Sequence, residues 1–407
     1  MKRDIFHNII LICLLMAVNT AVAQDWQVIK SFQPAQTLHC IRFADDSLGY
    51  TVSSLYNGTT FNIHKTSDKG ETWTDQSSGY TGMRFKDIWI FNRDTVMMCG
   101  NYGVVITTFD GGENWIADTV AQGGEHLFGI SFSGSVGYVC GNSGAIYKTT
   151  DMGTTWQALE APFITAIEEI FFLDENFGFI AGLNFIYYTE DGGDTWIEPE
   201  TFPGASLNWW LREISFPTDS IGFVCGDIGQ VYKTTDRGKN WEYLPNTLTT
   251  KSLQAIAALS ENNIYACGYA GTVIHSQDGG ETWESMSAAS QYDFFSIDFT
   301  PDGTGYICSW SGEILRFQDP TTGFPDQYPG IEPAVFPNPF RDRISIRPES
   351  GNRLQSAEIF DLQGNLLFST GLNDGDNCLE TGKLASGFYF LRILSAKGVT
   401  TRKMTRE

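Results

Sequence analysis

The sequence predicts an all-β protein, in which a seven-bladed β-propeller is followed by a small C-terminal β-sandwich. Three observations lead to this fold class. A nine-residue motif recurs six times at intervals of 40 to 45 residues, short strand patterns surround each copy, and no segment shows a helical period over 12 residues. A period near 40 residues with several short strands in each unit is typical of a propeller.

The recurring motif has the pattern of strand, tight turn and strand. In the copy at residues 148–156, threonines precede an Asp and a Gly, and a Trp ends the motif. The Asp side chain can accept hydrogen bonds from backbone N–H groups two or three residues later, and the Gly can adopt a positive φ. We expect each Trp to pack against a neighbouring repeat. The residues concerned are Asp68, Asp110, Asp151, Asp191, Asp236 and Asp278, with Trp73, Trp115, Trp156, Trp196, Trp241 and Trp283.

These six copies resemble the Asp-box, or bacterial neuraminidase repeat. The resemblance implies that each copy is a hairpin between the third and fourth strands of a propeller blade. It also implies that the boxes are structural and lie away from the ligand.

Each repeat supplies four predicted strands, and the ends of the repeat region complement each other. Residues 25–32 have the pattern of a fourth strand without a box, whereas residues 292–317 supply three strands without a fourth. We therefore expect residues 25–32 to complete the last of seven blades within residues 24–318. Closing the ring in this way removes free sheet edges.

The N-terminus has the features of a secretory signal peptide. Lys2 and Arg3 precede an apolar run at residues 9–18, and small residues end at Ala23, after which we expect cleavage. No other apolar run approaches 18 residues, so no transmembrane segment is expected in the mature chain. A net charge of −22 makes nucleic acid an unfavourable partner.

Five cysteines occupy the same position in successive repeats, late in a strand. This position is too far from its equivalents for a disulfide, so we expect small buried apolar residues. Ala181 fills the position in its own repeat. The cysteines are Cys99, Cys140, Cys225, Cys267 and Cys308.

The last part of the chain differs in composition from the repeats. Residues 319–334 contain four prolines and are predicted to form a linker, and residues 335–407 have the short strands of a β-sandwich. Residues 336–340, 361–364 and 384–389 resemble the C-terminal sorting domain of the type IX secretion system. The resemblance implies a Bacteroidetes-type bacterium, the type IX secretion machinery as a partner of residues 335–407, and a secreted or outer-membrane surface protein that passes through the periplasm. An ordinary accessory β domain is the alternative.

Sialidases also carry Asp boxes, so an enzyme has to be considered. Their site needs an arginine triad that clamps a carboxylate. Residues 25–318 contain six arginines, of which only Arg84 and Arg212 begin first strands. Glu168 and Glu169 could serve another glycosidase, but adjacent strand residues are expected to point to opposite faces. The sequence therefore predicts no catalytic residues, and a glycan-cleaving hydrolase is the alternative.

No metal site or cofactor is predicted either, because the histidines are scattered over different repeats without ligand spacing. Residues 141–151, 226–236 and 268–278 resemble the repeat of the photosystem II assembly and stability factor propeller. That resemblance implies a non-enzymatic binding scaffold that uses a basic patch. Because this chain is acidic and poor in arginine, we expect the scaffold role to be shared and the partner to differ.

The blade pattern also predicts where a protein or glycan ligand binds. The loops before each first strand and after each second strand share one face, opposite the Asp boxes, and we call it the upper face. Trp209 and Trp210 are the most specific signal, because adjacent rings on one strand cannot both enter one core. Either one ring is exposed for binding, or one lies in the blade core and the other between blades. The predicted binding residues are His39, Lys86, Glu168, Trp209, Trp210, Arg212, Asp227, Tyr269, Phe295 and Trp310.

Four Asp-Ser/Thr-apolar triplets resemble the O-glycosylation pattern of Bacteroidetes proteins. Three of them fall in predicted turns between first and second strands, where exposure is expected. Ordinary turn chemistry is the alternative. The candidate residues are Ser47, Thr95, Thr119 and Ser220.

Overall fold

A computed structural model describes most of the repeat region and parts of the C-terminal segment. The described residues are 26–55, 61–76, 83–121, 123–203, 209–318, 334–336, 343–347, 354–360, 366–373, 377–384, 387–395 and 398–406. The chain divides into two compact units, Met1–Gly323 and Phe324–Glu407. The predicted signal peptide with its cleavage after Ala23, linker residues 319–333 and motif residues 337–340 and 361–364 lie outside the described residues.

The strands of the first unit follow one another in groups. Strand β1 (Gln27–Ser31) precedes the first group, and blades 1 to 3 then contain β2 (Gln36–Phe43), β3 (Gly49–Leu55), β4 (Phe61–Thr66) and β5 (Thr74–Gln76); β6 (Phe85–Ile90), β7 (Val96–Gly100), β8 (Val104–Thr108) and β9 (Ile116–Thr119); β10 (Leu127–Ser133), β11 (Val136–Gly141), β12 (Ile146–Thr149) and β13 (Gln157–Ala158).

Blades 4 to 6 and the last strands continue the pattern. Their strands are β14 (Ile167–Phe172), β15 (Gly178–Gly182) and β16 (Phe185–Thr189); β17 (Leu211–Ser215), β18 (Gly222–Gly226), β19 (Val231–Thr234) and β20 (Glu242–Leu244); β21 (Leu253–Ala258), β22 (Ile264–Gly268), β23 (Thr272–Ser276) and β24 (Glu284–Ser285); β25 (Phe294–Phe299), β26 (Thr304–Ser309) and β27 (Glu313–Gln318). Four single-turn 3-10 helices join second to third strands: η1 (Asn101–Gly103), η2 (Asn142–Gly144), η3 (Asp227–Gly229) and η4 (Tyr269–Gly271).

The described strands of this unit form seven antiparallel sheets arranged as a closed ring. In each sheet the strands lie in sequence order, except that the last sheet has the order β1-β27-β26-β25. The first strand of every blade contacts the first strands of the two neighbouring blades, and β25 contacts β2. The prediction of a seven-bladed propeller is therefore confirmed.

The N-terminal strand closes the ring. Strand β1 pairs with β27, and Val28 lies opposite Leu315. Trp26 is fully buried and stacks on Phe317 at 5.1 Å between ring centroids. Its backbone, however, is bonded to Ser287 and Ala289 of blade 6 rather than to β27. The N-terminal segment thus holds two blades together.

An isoleucine occupies the same place in every first strand and accounts for much of the packing between blades. Each of these side chains is at most 4% exposed, and burying one contributes roughly 1.5–3 kcal/mol. Together they form an apolar layer around the ring. They are Ile41, Ile88, Ile130, Ile170, Ile214, Ile256 and Ile297.

Blade 4 differs from the predicted four-stranded pattern at its outer edge. Its sheet has three described strands, and the fourth is reduced to a bridge between Tyr188 and Ile197. Pro199 follows two residues later, and its lack of an N–H prevents the ladder from continuing.

The Asp boxes close their turns differently from the sequence expectation. In blade 3, Thr155 donates from its backbone N to Asp151 Oδ1 at 2.8 Å, four residues later rather than two or three. The backbone N of Gly153, whose φ is +84°, donates instead to the Thr149 hydroxyl at 2.9 Å. The Thr149 hydroxyl in turn donates to Asp151 at 2.7 Å. The same pattern recurs in all six boxes.

The Asp-box turns are exposed on the face of the propeller opposite the upper face. Hydrogen bonds from the Asn114 backbone N and side chain lower the pKa of Asp110 to about 2, and those from Thr282 do the same for Asp278. The expected burial of the box tryptophans holds for Trp73, Trp115 and Trp241, whereas the other three are half-buried. The five repeat cysteines are buried, as predicted, and Cys40 is buried with them.

The described strands of the second unit form two sheets. One has the order β28-β29-β32 and the other the order β31-β30-β33-β34. Apolar side chains of both sheets, such as Ile344, Leu379 and Leu391, belong to one buried cluster. The sandwich stays a prediction for the segment as a whole. The strands are β28 (Ala334–Phe336), β29 (Arg343–Arg347), β30 (Leu354–Phe360), β31 (Leu366–Gly371), β32 (Asn377–Glu380), β33 (Gly387–Ser395) and β34 (Gly398–Arg406).

Candidate functional site

Every first strand of the propeller carries a β-bulge at the same place. In β14 the pairing register shifts between Ile167 and Glu169, and equivalent shifts occur in the other six first strands. A bulge sets two residues opposite one, so that consecutive side chains can face the same side. Glu168 and Glu169 therefore line the same cavity, and the expectation that they point to opposite faces is wrong.

The bulged residues surround the ring axis and enclose a cavity of about 90 Å³, which we call the central channel. Five predicted binding residues line it: His39, Lys86, Glu168, Arg212 and Phe295. The other lining residues are Cys40, Arg42, Asp87, Phe128, Glu169, Glu213, Gln254 and Ser296.

An ion pair crosses the channel below its upper mouth. Arg42 of blade 1 reaches Glu213 of blade 5 at 2.8 Å, and the same guanidinium lies 3.7 Å from Asp87. Its other terminal nitrogen donates to Ser296 Oγ at 2.9 Å. Arg42 therefore joins opposite sides of the ring and narrows the channel at this level.

The acidic side chains at this level also connect neighbouring blades. The backbone N of Ile130 donates to Asp87 at 3.1 Å, and that of Ile256 donates to Glu213 at 3.1 Å. One level lower, the backbone N of Phe43 donates to Asp298 at 2.6 Å, which joins the last blade to the first. These carboxylates thus help to hold neighbouring blades together.

Burial perturbs the carboxyl groups of the channel. It raises the pKa of Glu213 to about 7, although Arg42 opposes the shift, and one level below the lining residues it raises the pKa of Asp298 to about 6. Burial, with the charges of Asp87 and Glu213 nearby, raises the pKa of Glu169 well above its usual range. The low dielectric around these groups disfavours their charged forms.

One group of predicted residues meets at the upper mouth on blades 4 and 5. The Arg212 guanidinium lies 3.2 Å from Asp227 and 3.8 Å from Glu168, and it is 5.4 Å from the centre of the Trp210 ring. The backbone N of Trp210 donates to Asp227 at 3.1 Å. The structure thus brings together four of the predicted residues.

A second group meets on blades 6, 7 and 1. The His39 ring stacks with Phe295 at 6.4 Å, and Phe295 contacts Tyr269 edge-on at 6.4 Å. Burial, together with Lys86 and Arg84, lowers the pKa of His39 to about 3, so its ring is neutral at physiological pH. Trp310 follows β26 at the position that Tyr269 has after β22, and it is 37% exposed.

Trp209 and Trp210 are both half-buried, and neither belongs to a buried apolar cluster. The backbone N of Trp209 donates to Asn184 in blade 4 at 2.8 Å. The alternative that places one ring in a blade core is therefore wrong. Both rings present part of their surface at the junction between two blades.

Sequence reasoning missed several exposed apolar side chains of the upper face. Of the twelve large apolar residues that are exposed among the described residues of the propeller, seven lie on the upper face, two on the Asp-box face and three on outer strands. The seven are Tyr102, Ile164, Ile228, Leu248, Tyr269, Tyr292 and Trp310, the two are Phe109 and Met152, and the three are Ile116, Ile197 and Tyr243.

Two of the missed residues carry a recognisable signal. Tyr102 and Ile228 are central residues of η1 and η3, each just before a Gly, and their φ values are +60° and +53°. A β-branched residue is unfavourable in this left-handed region, which usually holds Gly or Asn. Packing does not explain either residue, because both side chains are exposed on the upper face.

The candidate glycosylation residues differ in exposure. Ser220 and Thr119 are exposed, whereas Ser47 and Thr95 are half-buried. The Ser47 hydroxyl donates to Asp45 at 2.8 Å and so takes part in closing its turn. Fewer of the four candidate residues are therefore exposed than their turn positions alone suggested.

Within the described residues, no group of three or more His, Cys, Asp or Glu side chains is arranged to hold a metal ion. None of the helices in this part of the chain has the length and apolarity needed to cross a membrane. The channel arginines Arg42 and Arg212 are each engaged with carboxylates and do not form a convergent triad.

Solved structures resemble the chain over most of its length. YCF48 bound to D1 peptide is 23% identical, with 72% of this chain and 97% of that chain covered and a TM-score of 0.60. YCF48 from Cyanidioschyzon merolae is 18% identical, with 72% and 98% covered and a TM-score of 0.59. PorZ, an essential surface component of the type-IX secretion system of Porphyromonas gingivalis, is 16% identical, with 91% of this chain but 59% of that chain covered and a TM-score of 0.56. These likenesses show the fold, and no curated protein matches the sequence.

Two family models match the sequence itself. The model described as secretion system C-terminal sorting domain matches residues 334–407, which confirms the predicted sorting domain and makes the protein a secreted or outer-membrane surface protein. The model described as photosynthesis system II assembly factor YCF48 matches residues 18–170, 154–251 and 243–318. Since these matches together span about three quarters of the chain, the protein belongs to the YCF48 family of propellers.

Proposed function

We propose that this exported propeller is a non-enzymatic scaffold that binds a protein partner through its upper face. The observation that carries the proposal is the unequal distribution of exposed apolar side chains, seven of twelve of which lie on that face. Exposed apolar surface of this kind marks interaction sites, and Trp and Tyr are enriched among the residues that dominate binding energy.

The channel gives less support to a glycan-cleaving hydrolase. Its volume of about 90 Å³ is well below the roughly 300 Å³ at which small-molecule pockets begin, so a sugar ring does not fit inside. Glu213 and Asp87 are also bonded to backbone N–H groups of the next blade. Carboxylates held in this way are poorly placed to act on a substrate.

The path of the chain favours access to the upper face. Strand β1 begins, and β27 ends, on the Asp-box side, where Gln27 lies opposite Arg316. Arg316 is bonded there to Glu71 of the first box at 2.6 Å. The first and last strands of the propeller therefore enter and leave on the side opposite its upper face.

A member of the same family supports a polypeptide as the ligand, since YCF48 has been solved bound to D1 peptide. The D1 partner itself does not follow for an exported protein with a sorting domain. We therefore propose a polypeptide partner outside the cell or at its surface.

The experiment compares two double variants of the full chain. Trp209→Ala with Trp210→Ala alters the upper face, and Tyr243→Ala with Ile116→Ala alters outer strands as a matched control. We expect the first variant to lose partner capture from the cell-surface fraction while the second retains it. Equal capture by both would reject the upper face.

A glycan array and a panel of chromogenic glycosides, read with the same proteins, separate the remaining possibilities. Retention on glycans without turnover would replace the protein partner with a glycan. Turnover of a glycoside would establish the hydrolase instead.

A further inference from the structure

Among the described residues, one carboxyl group of the central channel has neither a hydrogen-bond nor an ion-pair partner. Its lining includes the bases Arg42, Lys86 and Arg212, and His39 is neutral. The carboxyls number four: Asp87, Glu168, Glu169 and Glu213. Arg42 pairs with Glu213 and lies near Asp87, and Arg212 pairs with Asp227 and lies near Glu168.

Glu169 has no hydrogen bond or ion pair within the part of the chain that the structure describes. The adjacent first strand has Gly129 at the same bulge position, which supplies no polar side chain to Glu169, and Phe128 is the residue of blade 3 that lines the channel. The lining thus contains one acid more than it has bases, and Glu169 faces the cavity.

The mouth above this acid carries hydrogen-bond donors that also lack partners. Gln254 Nε2 and Arg212 Nε are buried, and no acceptor lies within reach among the described residues. Leaving a buried donor unpaired costs about 1–3 kcal/mol, so a ligand that supplies acceptors here would bind favourably. Backbone carbonyls of a polypeptide that crosses the mouth have this chemistry.

Size limits what can enter below the mouth. A volume of about 90 Å³ corresponds to roughly three water molecules at about 30 Å³ each. The head of one side chain fits, whereas a sugar ring does not. A glycan of neutral or acidic sugars could supply acceptors at the mouth, but it has no cation to pair with Glu169.

We propose that the channel mouth receives one basic side chain, arginine or lysine, of the polypeptide partner, with Glu169 as its counter-ion. This rests on the proposed function and specifies its ligand. The incoming cation pairs with the Glu169 carboxylate, and the proton that the carboxyl carried is released to solvent. Gln254 and Arg212 then donate to carbonyls of the same segment.

The test uses calorimetric titration of the full chain with N-acetyl-arginine amide and with its neutral analogue N-acetyl-citrulline amide. We expect the arginine amide to bind at least about tenfold more tightly, a difference that corresponds to one lost ion pair. Its affinity should rise as the pH rises above the ordinary carboxyl pKa of 4.5, because burial raises the pKa of Glu169 and binding displaces its proton, and buffers of different ionisation enthalpy should report that proton. Equal binding of the two amides, no binding of either, or no pH dependence would overturn the proposal.

Glu169→Gln keeps the shape of the neutral carboxyl and removes its charge. We expect this variant to lose the preference for arginine, while Glu261→Gln, on the exposed Asp-box side, binds as the wild type does. Partner capture separates this proposal from the broader one. If capture is lost in the Trp209/Trp210 variant but intact in Glu169→Gln, the basic side chain is rejected and the upper face remains the proposed binding surface. If capture is intact in both variants, the upper face itself is rejected.

Discussion

The stability of the propeller should depend on pH because the carboxyl group of Glu213 is buried in the channel. Its pKa of about 7 in the folded protein exceeds the ordinary value of 4.5 because the side chain is buried. The protonated group therefore contributes stability that is fully present below about pH 4.5 and is lost as the pH rises through about 7. The difference corresponds to roughly 3 kcal/mol, of which roughly 2–3 kcal/mol falls between about pH 5 and pH 8.

Glu213→Gln removes this titration while keeping a similar shape. The variant also weakens the pair with Arg42, so its absolute stability is not the readout. We expect the free energy of unfolding of the wild type to fall between about pH 5 and pH 8 by roughly 2–3 kcal/mol more than that of the variant. The chosen range lies above the region in which the Asp-box carboxyls titrate, since the pKa values of Asp110 and Asp278 are about 2.

Urea denaturation followed by tryptophan fluorescence measures this difference on the full chain. All eleven tryptophans lie within residues 26–310, so the signal reports the propeller. Glu261→Gln serves as the control and should keep the wild-type slope. If Glu213→Gln kept the wild-type slope as well, the assignment of a buried, proton-binding Glu213 would be wrong.

Three further predictions follow from single positions. Ile170→Ala should lower the free energy of unfolding by about 2–5 kcal/mol in the same assay, because Ile170 is 1% exposed and packs in the isoleucine layer; a loss under about 1 kcal/mol would contradict that packing. Ile228→Gly should raise stability by about 1 kcal/mol by relieving the left-handed backbone and should weaken partner capture, and the reverse of either change would count against Ile228 as a binding residue. Among the candidate glycosylation residues, exposed Ser220 and Thr119 should be modified in preference to Ser47, and an intact mass of the secreted protein equal to that of the bare chain would refute modification altogether.

The blade count could be predicted because it rests on local patterns. Each Asp box needs only a few residues of fixed type to form its turn, so the repeat can be recognised from the local sequence alone. The last blade followed from counting, since residues 25–32 lacked a box and residues 292–317 lacked a fourth strand. The structure pairs these segments through β1 and β27.

The channel could not be predicted in the same way. Whether Glu168 and Glu169 share a face depends on a bulge in β14, and a bulge is a property of strand pairing that two adjacent residues do not reveal. The sequence does not distinguish Arg42 from other first-strand residues, because its ion pair with Glu213 crosses the ring. Contacts between opposite blades depend on the closed ring and not on the repeat.

The upper face was predicted in outline and not in its composition. Alternation of loops between the two faces is a topological rule, which placed Arg212, Asp227 and Tyr269 correctly beside the mouth. Exposure is different, because it depends on how far each loop projects from the ring. Ile164, which is 90% exposed, was therefore not among the predicted binding residues.

Photocrosslinking identifies the face of the propeller that contacts the partner. A benzophenone amino acid replaces Tyr269 on the upper face, Phe109 on the Asp-box face or Tyr243 on an outer strand, one at a time, in the full chain at the cell surface. We expect a crosslinked partner from position 269 and none from positions 109 and 243. A partner crosslinked only from position 109 or 243 would contradict binding through the upper face.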